Sequence, residues 1–172
     1  MTAAHPALPP KMSSSAVPVR PWIEDAMRPE ICIVQRFDAS PERVFAAWLD
    51  PATAGRWLFA TASRPVNEVA IDARVGGLFR FVERQRGRVL RQTGRYLEVV
   101  PPRRIAFTLE ASDRPEALSR VTIDIAPCGQ GCELVLSHEL VAPDDLERTE
   151  GRWMGILYGL GETLGAMISM EQ

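Results

Sequence analysis

The chain has 172 residues, 46% of them hydrophobic and 24% charged, and its formal net charge at pH 7 is −2. A chain of this length buries enough apolar surface to fold as one domain without disulfides, and its composition excludes fibrous and wholly disordered proteins. Because the net charge is close to zero, there is no electrostatic reason to expect a polyanionic partner such as a nucleic acid.

Neither a secretory leader nor a membrane span is predicted, because prolines and serines stand where an apolar signal core would lie. The most apolar stretch, residues 153–170, contains Glu162 and repeats its apolar residues with a helical period, which is typical of a core helix. The chain has three cysteines, an odd number, which favours the interpretation that they are free thiols in a cytoplasmic protein. A zinc half-site at Cys128 and Cys132 would lack partner histidines, so we predict neither a metal nor another cofactor.

Residues 1–30 hold six of the 14 prolines and a run of three serines, and we expect them to form a flexible N-terminal segment. Trp22 and Ile23 are its apolar exceptions, and they could anchor the segment locally. The folded domain is predicted over residues 31–172.

A strand over residues 31–37 is the first predicted element, and two short helices follow it. Ser40 and Asp50 are predicted N-cap residues, and each is followed by a proline, which suits the first position of a helix. We expect the first helix to carry Trp48 on its apolar face and the second to end near Trp57.

Four to six further strands are predicted, separated by turn residues. Each carries alternate apolar residues on one face, which is typical of an antiparallel sheet with one covered side. The candidate strands span residues 65–71, 78–83, 89–100, 105–109, 121–125 and 134–140.

A long helix is predicted to end the chain, opened by Pro143 and a run of acidic residues that suits the helix dipole. Its apolar stripe is the only evident cover for the sheet. The stripe consists of Leu146, Trp153, Leu157, Leu160 and Leu164. The predicted fold is therefore α+β, with a curved antiparallel sheet around one long C-terminal helix.

Five stretches, in this order along residues 31–168, resemble the activator of heat-shock protein 90 ATPase-like family of the START-like (SRPBCC, helix-grip) superfamily. They are Asp50-Pro51 with Gly55-Arg56-Trp57, Asp72-Ala73-Arg74-Val75-Gly76-Gly77, Gly94-Arg95-Tyr96-Leu97-Glu98-Val99-Val100-Pro101-Pro102, Arg104-Ile105-Ala106-Phe107-Thr108, and Leu136-Ser137-His138 with the apolar stripe of the last helix. The chain departs from the family pattern at Leu58, where a second tryptophan is usual, and at Arg152, where glycine is usual.

This resemblance implies a cavity between the sheet and the long helix that holds an apolar ligand. We expect aromatic and apolar side chains from both layers to line or close it, although packed solid they would simply form the core. The predicted ligand-binding residues are Trp48, Trp57, Phe79, Phe81, Tyr96, His138, Trp153 and Leu157.

Acid–base chemistry is an alternative use of three of these positions. Tyr96 and Glu98 are two residues apart and are predicted to share a strand face, where they could act together with His138. In the structural alternative, Glu98 holds the following turn through Arg104, and His138 is a hydrogen-bonded inward histidine. No activated nucleophile is recognisable, so no catalytic residue is assigned.

Arginines concentrate on the hairpin predicted between residues 80 and 95. They are Arg80, Arg84, Arg86, Arg88, Arg91 and Arg95. Arg84, Arg86 and Arg88 could contact an acidic protein surface, whereas the missing aromatic residues argue against nucleic acid. The alternative is a solvated hairpin without a partner.

Gly151, Gly155 and Gly159 recur every four residues in the last helix, where each costs about 1 kcal/mol relative to alanine. They are predicted to lie opposite the apolar stripe, so they do not serve contact with the sheet. Either a second copy of this helix, giving a homodimer, or the segment around Trp22 and Ile23 could pack there. The alternative is a solvated face that tolerates glycine.

Three functional classes follow, in order of preference. The first is a non-catalytic module that binds a hydrophobic small molecule, and the second is a co-chaperone-like interaction domain. The third is a small enzyme of cyclase or hydrolase type that uses Tyr96, Glu98 and His138.

Overall fold

The three-dimensional structure is a computed structural model that describes residues 30–60, 66, 68–111, 114–139, 141 and 143–166. The predictions about residues 1–29, including those about Trp22 and Ile23, lie outside the described residues.

All of the predicted helices and strands are present in the described part of the chain. Their order is β1 (Glu30–Phe37), α1 (Pro41–Leu49), α2 (Pro51–Trp57), β2 (Glu68–Ile71), β3 (Leu78–Gln85), β4 (Arg88–Val100), β5 (Arg104–Ala111), β6 (Arg114–Cys128), β7 (Gly131–Glu139), a 3-10 turn (Pro143–Asp145) and α3 (Leu146–Leu164). The strand β6 is 15 residues long, which is much longer than the five-residue apolar core from which it was predicted.

The strands form one curved antiparallel sheet in the order β1-β7-β6-β5-β4-β3-β2. Successive strands are neighbours, except that β1 pairs with β7, with Ile31 opposite His138. Apolar side chains alternate along each strand, so one face of the sheet is buried beneath the helices. This confirms the predicted α+β layout.

The two short helices begin as their capping residues predict. The Ser40 hydroxyl accepts the Arg43 amide at 3.3 Å, and a carboxylate oxygen of Asp50 accepts the Thr53 amide at 2.9 Å. Proline occupies the first turn of both helices. The bonds from Thr53 lower the pKa of Asp50, because they favour the charged carboxylate.

The helix α3 covers the sheet with its apolar side, and Trp153, Ile156, Leu157 and Leu160 are buried. Its C-terminal end is attached to the β1–α1 corner, where the Asp38 amide donates to the Ala166 carbonyl at 3.0 Å. None of the described helices combines the length and apolar composition needed to cross a lipid bilayer.

The glycines of α3 do not all behave as predicted. Apart from the adjoining residues and backbone of α3 itself, no described atom comes within 4 Å of a Cβ placed at Gly151 or Gly155, so these two lie on the open side of the helix. A Cβ at Gly159 would lie 3.6 Å from the Trp57 Cβ, so this glycine faces α2 instead. The prediction that all three share an outer face is therefore wrong for Gly159, which serves helix packing within the chain.

Candidate ligand-binding site

A small void of about 10 Å³ lies between the buried face of the sheet and the α1–α2 segment. It has room for no more than one water molecule. All of its lining side chains are aromatic or aliphatic. They are Trp48, Leu49, Leu58, Phe59, Phe79, Phe81, Tyr96, Ile105 and Phe107.

Four of the eight residues predicted to bind a ligand line this void, namely Trp48, Phe79, Phe81 and Tyr96. The other four are buried nearby without lining it, namely Trp57, His138, Trp153 and Leu157. The helix α3 supports the void indirectly, because the Trp153 ring lies 6.5 Å from Trp48 and 5.9 Å from Phe59 between ring centroids.

Five lining residues were not predicted as site residues. Ile105 and Phe107 were recognised only as strand core, because alternation along β5 gives their face but not the register that pairs Phe107 with Tyr96. Leu58 stands at a departure from the family pattern, which was a usable signal. Phe59 follows α2 in irregular backbone, and no periodicity could have singled it out.

The aromatic rings around the void pack edge to face. Ring centroids lie 5.3 Å apart for Phe79 and Phe107, at an interplanar angle of 87°, and 5.2 Å apart for Phe59 and Phe81, at 77°. Gly94 makes this arrangement possible, because a Cβ there would overlap the Phe79 ring. Each such pair adds about 0.5–1.5 kcal/mol beyond the burial of its area.

Two polar groups of the lining lack a hydrogen-bond partner among the described residues. The Nε1–H of Trp48 is buried without an acceptor, and the Tyr96 hydroxyl makes no hydrogen bond in the described part of the chain. The other described indoles differ, because Trp57 donates to the Ala47 carbonyl at 3.2 Å and Trp153 donates to His138. Burial raises the pKa of Tyr96, so its hydroxyl stays protonated and can donate.

His138 is held by hydrogen bonds on both ring nitrogens. Trp153 Nε1 donates to Nδ1 at 2.9 Å, which places the imidazole proton on Nε2, facing the Ser119 hydroxyl at 2.7 Å. Burial lowers the pKa of His138 to about 4, so the ring is neutral at pH 7. This is the inward histidine of the structural interpretation.

Tyr96, Glu98 and His138 do not converge. A β-bulge lies between Tyr96, which pairs with Phe107, and Glu98, which pairs with Ala106. The extra residue sends the two side chains to opposite faces of the sheet, so the prediction that they share a face is wrong. Glu98 instead forms an ion pair with Arg104 at 2.6 Å on the outer face, as the structural alternative expected.

The arginine hairpin turns at Arg86 and Gly87, whose φ angles of +40° and +82° match the type I′ pattern. Arg80 and Arg84 both form ion pairs with Glu68. Arg86 and Arg88 are exposed and form no ion pair with a described residue. Beside the hairpin, an open cleft of about 510 Å³ lies on the outer face of the sheet, with Arg80, Arg95 and exposed Leu78 among its lining.

The cysteines are free thiols, and Cys128 and Cys132 flank the β6–β7 turn. Burial raises the pKa of Cys132 to about 11, so its sulfur is a protonated thiol at neutral pH. In the described ranges, no three His, Cys, Asp or Glu side chains are grouped so as to hold a metal ion. A cytoplasmic location stays a prediction.

Comparison with known proteins adds family and fold. A family model described as "Activator of Hsp90 ATPase homolog 1-like protein" matches residues 38–165. No curated protein matches the chain. A crystal structure from Chromobacterium violaceum is 30% identical, with 77% of this chain and 95% of that chain covered and a TM-score of 0.70.

Two further solved structures share the fold at lower identity. An AHSA1-like protein from Aeromonas hydrophila is 21% identical, over 80% of this chain and 92% of that chain, with a TM-score of 0.68. The Aha1 dimer from Colwellia psychrerythraea is 16% identical, over 79% of this chain and 96% of that chain, with a TM-score of 0.64. The sheet wrapped around a long C-terminal helix is thus the START-like, helix-grip fold.

Proposed function

The chain belongs to the activator of Hsp90 ATPase homolog 1-like family, and we propose that it is a non-catalytic module that holds a hydrophobic small molecule in its interior. The observation that carries this proposal is the void between the sheet and the α1–α2 segment. Aromatic faces and edges surround it, and no charged side chain lines it. Such a lining suits a flat apolar molecule, because aromatic pairs add attraction beyond simple burial.

The volume of the void sets a condition on this function. Ligand pockets typically measure about 300–1,000 Å³, far more than the 10 Å³ found here. A ligand therefore enters only if a lining side chain moves. Only molecules in the open state then bind the ligand. The apparent affinity is therefore the affinity of the open state multiplied by the fraction of molecules that are open.

The geometry of the polar residues supports a non-catalytic function. His138 spends both ring nitrogens on Trp153 and Ser119, and Glu98 lies on the opposite face of the sheet from Tyr96. A general acid or base must be within hydrogen-bond reach of the group that it serves. No hydrogen bond joins any two of these three side chains in the described part of the chain, so they form no acid–base pair.

Native mass spectrometry and ligand titration test the proposal. Purified protein should carry an apolar molecule that is lost on denaturation, or should bind small aromatic compounds saturably with one molecule per chain. A tryptophan at Leu58 should abolish this binding by filling the void, whereas a tryptophan at exposed Val34 should not. If Leu58→Trp binds as well as the unmodified chain, the interior is not the site.

A second candidate function is an interaction with an acidic protein surface. It is favoured by the two exposed arginines at the hairpin tip, Arg86 and Arg88, which have no ion pair in the described part of the chain. The family description names an activator of the Hsp90 ATPase, which makes a chaperone of that kind the partner to test. Neutral substitutions at both positions should remove any stimulation of such an ATPase.

Self-association is a further proposal for the open side of α3. Gly151 and Gly155 leave the backbone accessible there, and the flanking Met154 and Tyr158 are 46% and 55% exposed. Small residues beside exposed apolar ones allow close approach of another helix. The Colwellia relative is a dimer, which supports testing a second copy of this chain as the occupant.

A further inference from the structure

Phe59 has an unusual backbone conformation for a bulky residue. Its φ angle of +60° lies in the left-handed region, which glycine adopts freely and large side chains rarely do. Conformations of this kind persist where the surrounding packing holds them, and they are frequent at ligand-binding sites. Here the holding contacts come from rings on other elements, namely Phe81 at 5.2 Å and Trp153 at 5.9 Å between centroids.

The Phe59 ring also occupies the position from which it limits the void. It is 8% exposed and lines the void beside Leu58, at the end of α2. The other aromatic linings belong to α1 or to the strands β3, β4 and β5, whose backbones are fixed by regular hydrogen bonds. Phe59 is therefore the aromatic lining residue whose backbone and ring can move away from the void without breaking a helix or a strand.

The two residues that carry these polar groups line the same small void. Trp48 is 2% exposed, and its Nε1–H is a buried donor that has no acceptor among the described residues. Tyr96 is 4% exposed and also lines the void, and its hydroxyl forms no hydrogen bond with a described residue. A buried donor without a partner is destabilising, so a molecule that supplies an acceptor gains more here than a pure hydrocarbon.

We propose that Phe59 is a displaceable plug, and that the molecule which replaces its ring is flat and apolar with one hydrogen-bond acceptor, such as a carbonyl oxygen. The acceptor receives the Nε1–H of Trp48 or the hydroxyl of Tyr96, and the ring of the molecule takes over the contacts with Phe81 and Trp153. When the ring moves out, the backbone of Phe59 can leave the left-handed region. The strain released in this way offsets part of the free-energy cost of exposing the ring. This inference rests on the proposed ligand-binding function.

A matched pair of probes separates the plug from the donors. Acetophenone and α-methylstyrene have the same size and shape, but only the ketone has a strong acceptor. The chain with Phe59→Gly should bind both probes, because glycine keeps the φ angle without strain and vacates the volume of one ring. Binding should be about tenfold tighter than to the unmodified chain, as expected where the open state is populated at roughly 10%.

The control variant is Phe45→Ala, which removes a ring of equal burial (7% exposed) that does not line the void. It should bind neither probe more tightly than the unmodified chain. If Phe59→Gly does not fold, Phe59→Ala gives the same test with a strained backbone. Equal affinities of Phe59→Gly and the unmodified chain for acetophenone would overturn the plug.

The donors are tested by the ratio of the two affinities. Phe59→Gly should prefer acetophenone by about fivefold, the effect of one net hydrogen bond. Trp48→Phe and Tyr96→Phe, each added to Phe59→Gly, identify the donor by which of them removes the preference. The Trp48 indole N–H resonance should shift with the ketone and not with the hydrocarbon if Trp48 is the donor.

Each remaining outcome has one meaning. Equal binding of both probes would overturn the acceptor requirement while leaving hydrophobic ligand binding intact. A preference that survives both donor substitutions would show that neither Trp48 nor Tyr96 recognises the ligand, for instance because the Trp48 N–H already faces the Trp57 ring, 4.7 Å away between centroids. Absence of binding of either probe to every variant would reject the proposed function itself.

Discussion

Trp153 Nε1 donates a hydrogen bond to His138 Nδ1 at 2.9 Å, and this bond joins the long helix α3 to the strand β7. The chain of bonds continues through Ser119, whose hydroxyl donates to the Leu109 carbonyl at 3.3 Å. Every polar atom of His138 is thereby satisfied inside the core. The sheet and the helix α3 are thus held together by hydrogen bonds as well as by apolar packing.

The buried, neutral His138 predicts that the stability of the fold depends on pH. The folded pKa of His138 is lowered from 6.5 to about 4 by burial, so the unfolded chain takes up a proton at a higher pH than the folded chain. The contribution is therefore fully present above pH 6.5 and is lost as the pH falls towards 4. We expect a loss of about 1.4 kcal/mol per pH unit in that window.

Urea unfolding at pH 7 and pH 5 measures this loss, and His138→Leu is the control. The variant is less stable at pH 7, because the Trp153 indole N–H loses its acceptor and the Ser119 hydroxyl loses the Nε2–H donor of His138. It should also lack the His138 part of the slope, although the carboxylates of the chain still titrate. Identical slopes for the variant and the unmodified chain would contradict the buried neutral histidine.

The glycines of α3 predict two different responses to substitution. Gly155→Leu should stabilise a monomer by up to about 1 kcal/mol, because leucine favours the helix and Gly155 has open space beside it, and it should dissociate a dimer that uses this face. Gly159→Leu should destabilise the fold by about 1–3 kcal/mol, because the side chain would overpack against Trp57.

Sedimentation velocity and thermal unfolding of both glycine variants check this contrast. A dimeric unmodified chain that becomes monomeric with Gly155→Leu would support self-association through α3. If the unmodified chain and Gly155→Leu have the same mass and the variant is no less stable, the open glycine face has no partner.

The arginines of the hairpin tip are expected to serve binding rather than stability. Arg86→Asn combined with Arg88→Gln should change the free energy of unfolding by no more than about 0.5 kcal/mol, because exposed charges contribute little and asparagine tolerates a positive φ. The same change should abolish any stimulation of an Hsp90-type ATPase. Replacing Arg84 as well tests its ion pair with Glu68.

Circular dichroism melts and the ATPase assay are the measurements for the hairpin. A fall of many degrees in melting temperature would show that these arginines are structural. Unchanged stimulation would remove the hairpin tip as the contact, and with it the second candidate function.

Much of the fold was predictable from local chemistry. Ser40 and Asp50 predicted the starts of both short helices, because each is a favoured N-cap residue followed by a proline, which suits the first helical position. The alternation of apolar residues gave the strands and their buried face. In each of these cases, the determining interactions lie within a few residues along the chain.

The candidate site was predicted less completely, since it depends on contacts between distant residues. The β-bulge after Tyr96 reversed the face of Glu98, and period-two alternation does not reveal an added residue. Gly159 faces α2 because α2 packs beside α3, a placement that the helix period alone does not contain. Phe59 lines the void from a left-handed backbone conformation. Such a conformation is usually marked in a sequence by glycine, and this position is not glycine.

A crystal structure of the unmodified chain grown with saturating acetophenone tests the central claim most directly. We predict ring density between Phe81 and Trp153, the carbonyl oxygen within hydrogen-bond distance of Trp48 Nε1 or the Tyr96 hydroxyl, and Phe59 displaced from its present position. Phe59 in place with no density for the ketone in the interior, from crystals that hold the ketone elsewhere, would contradict ligand binding at this site.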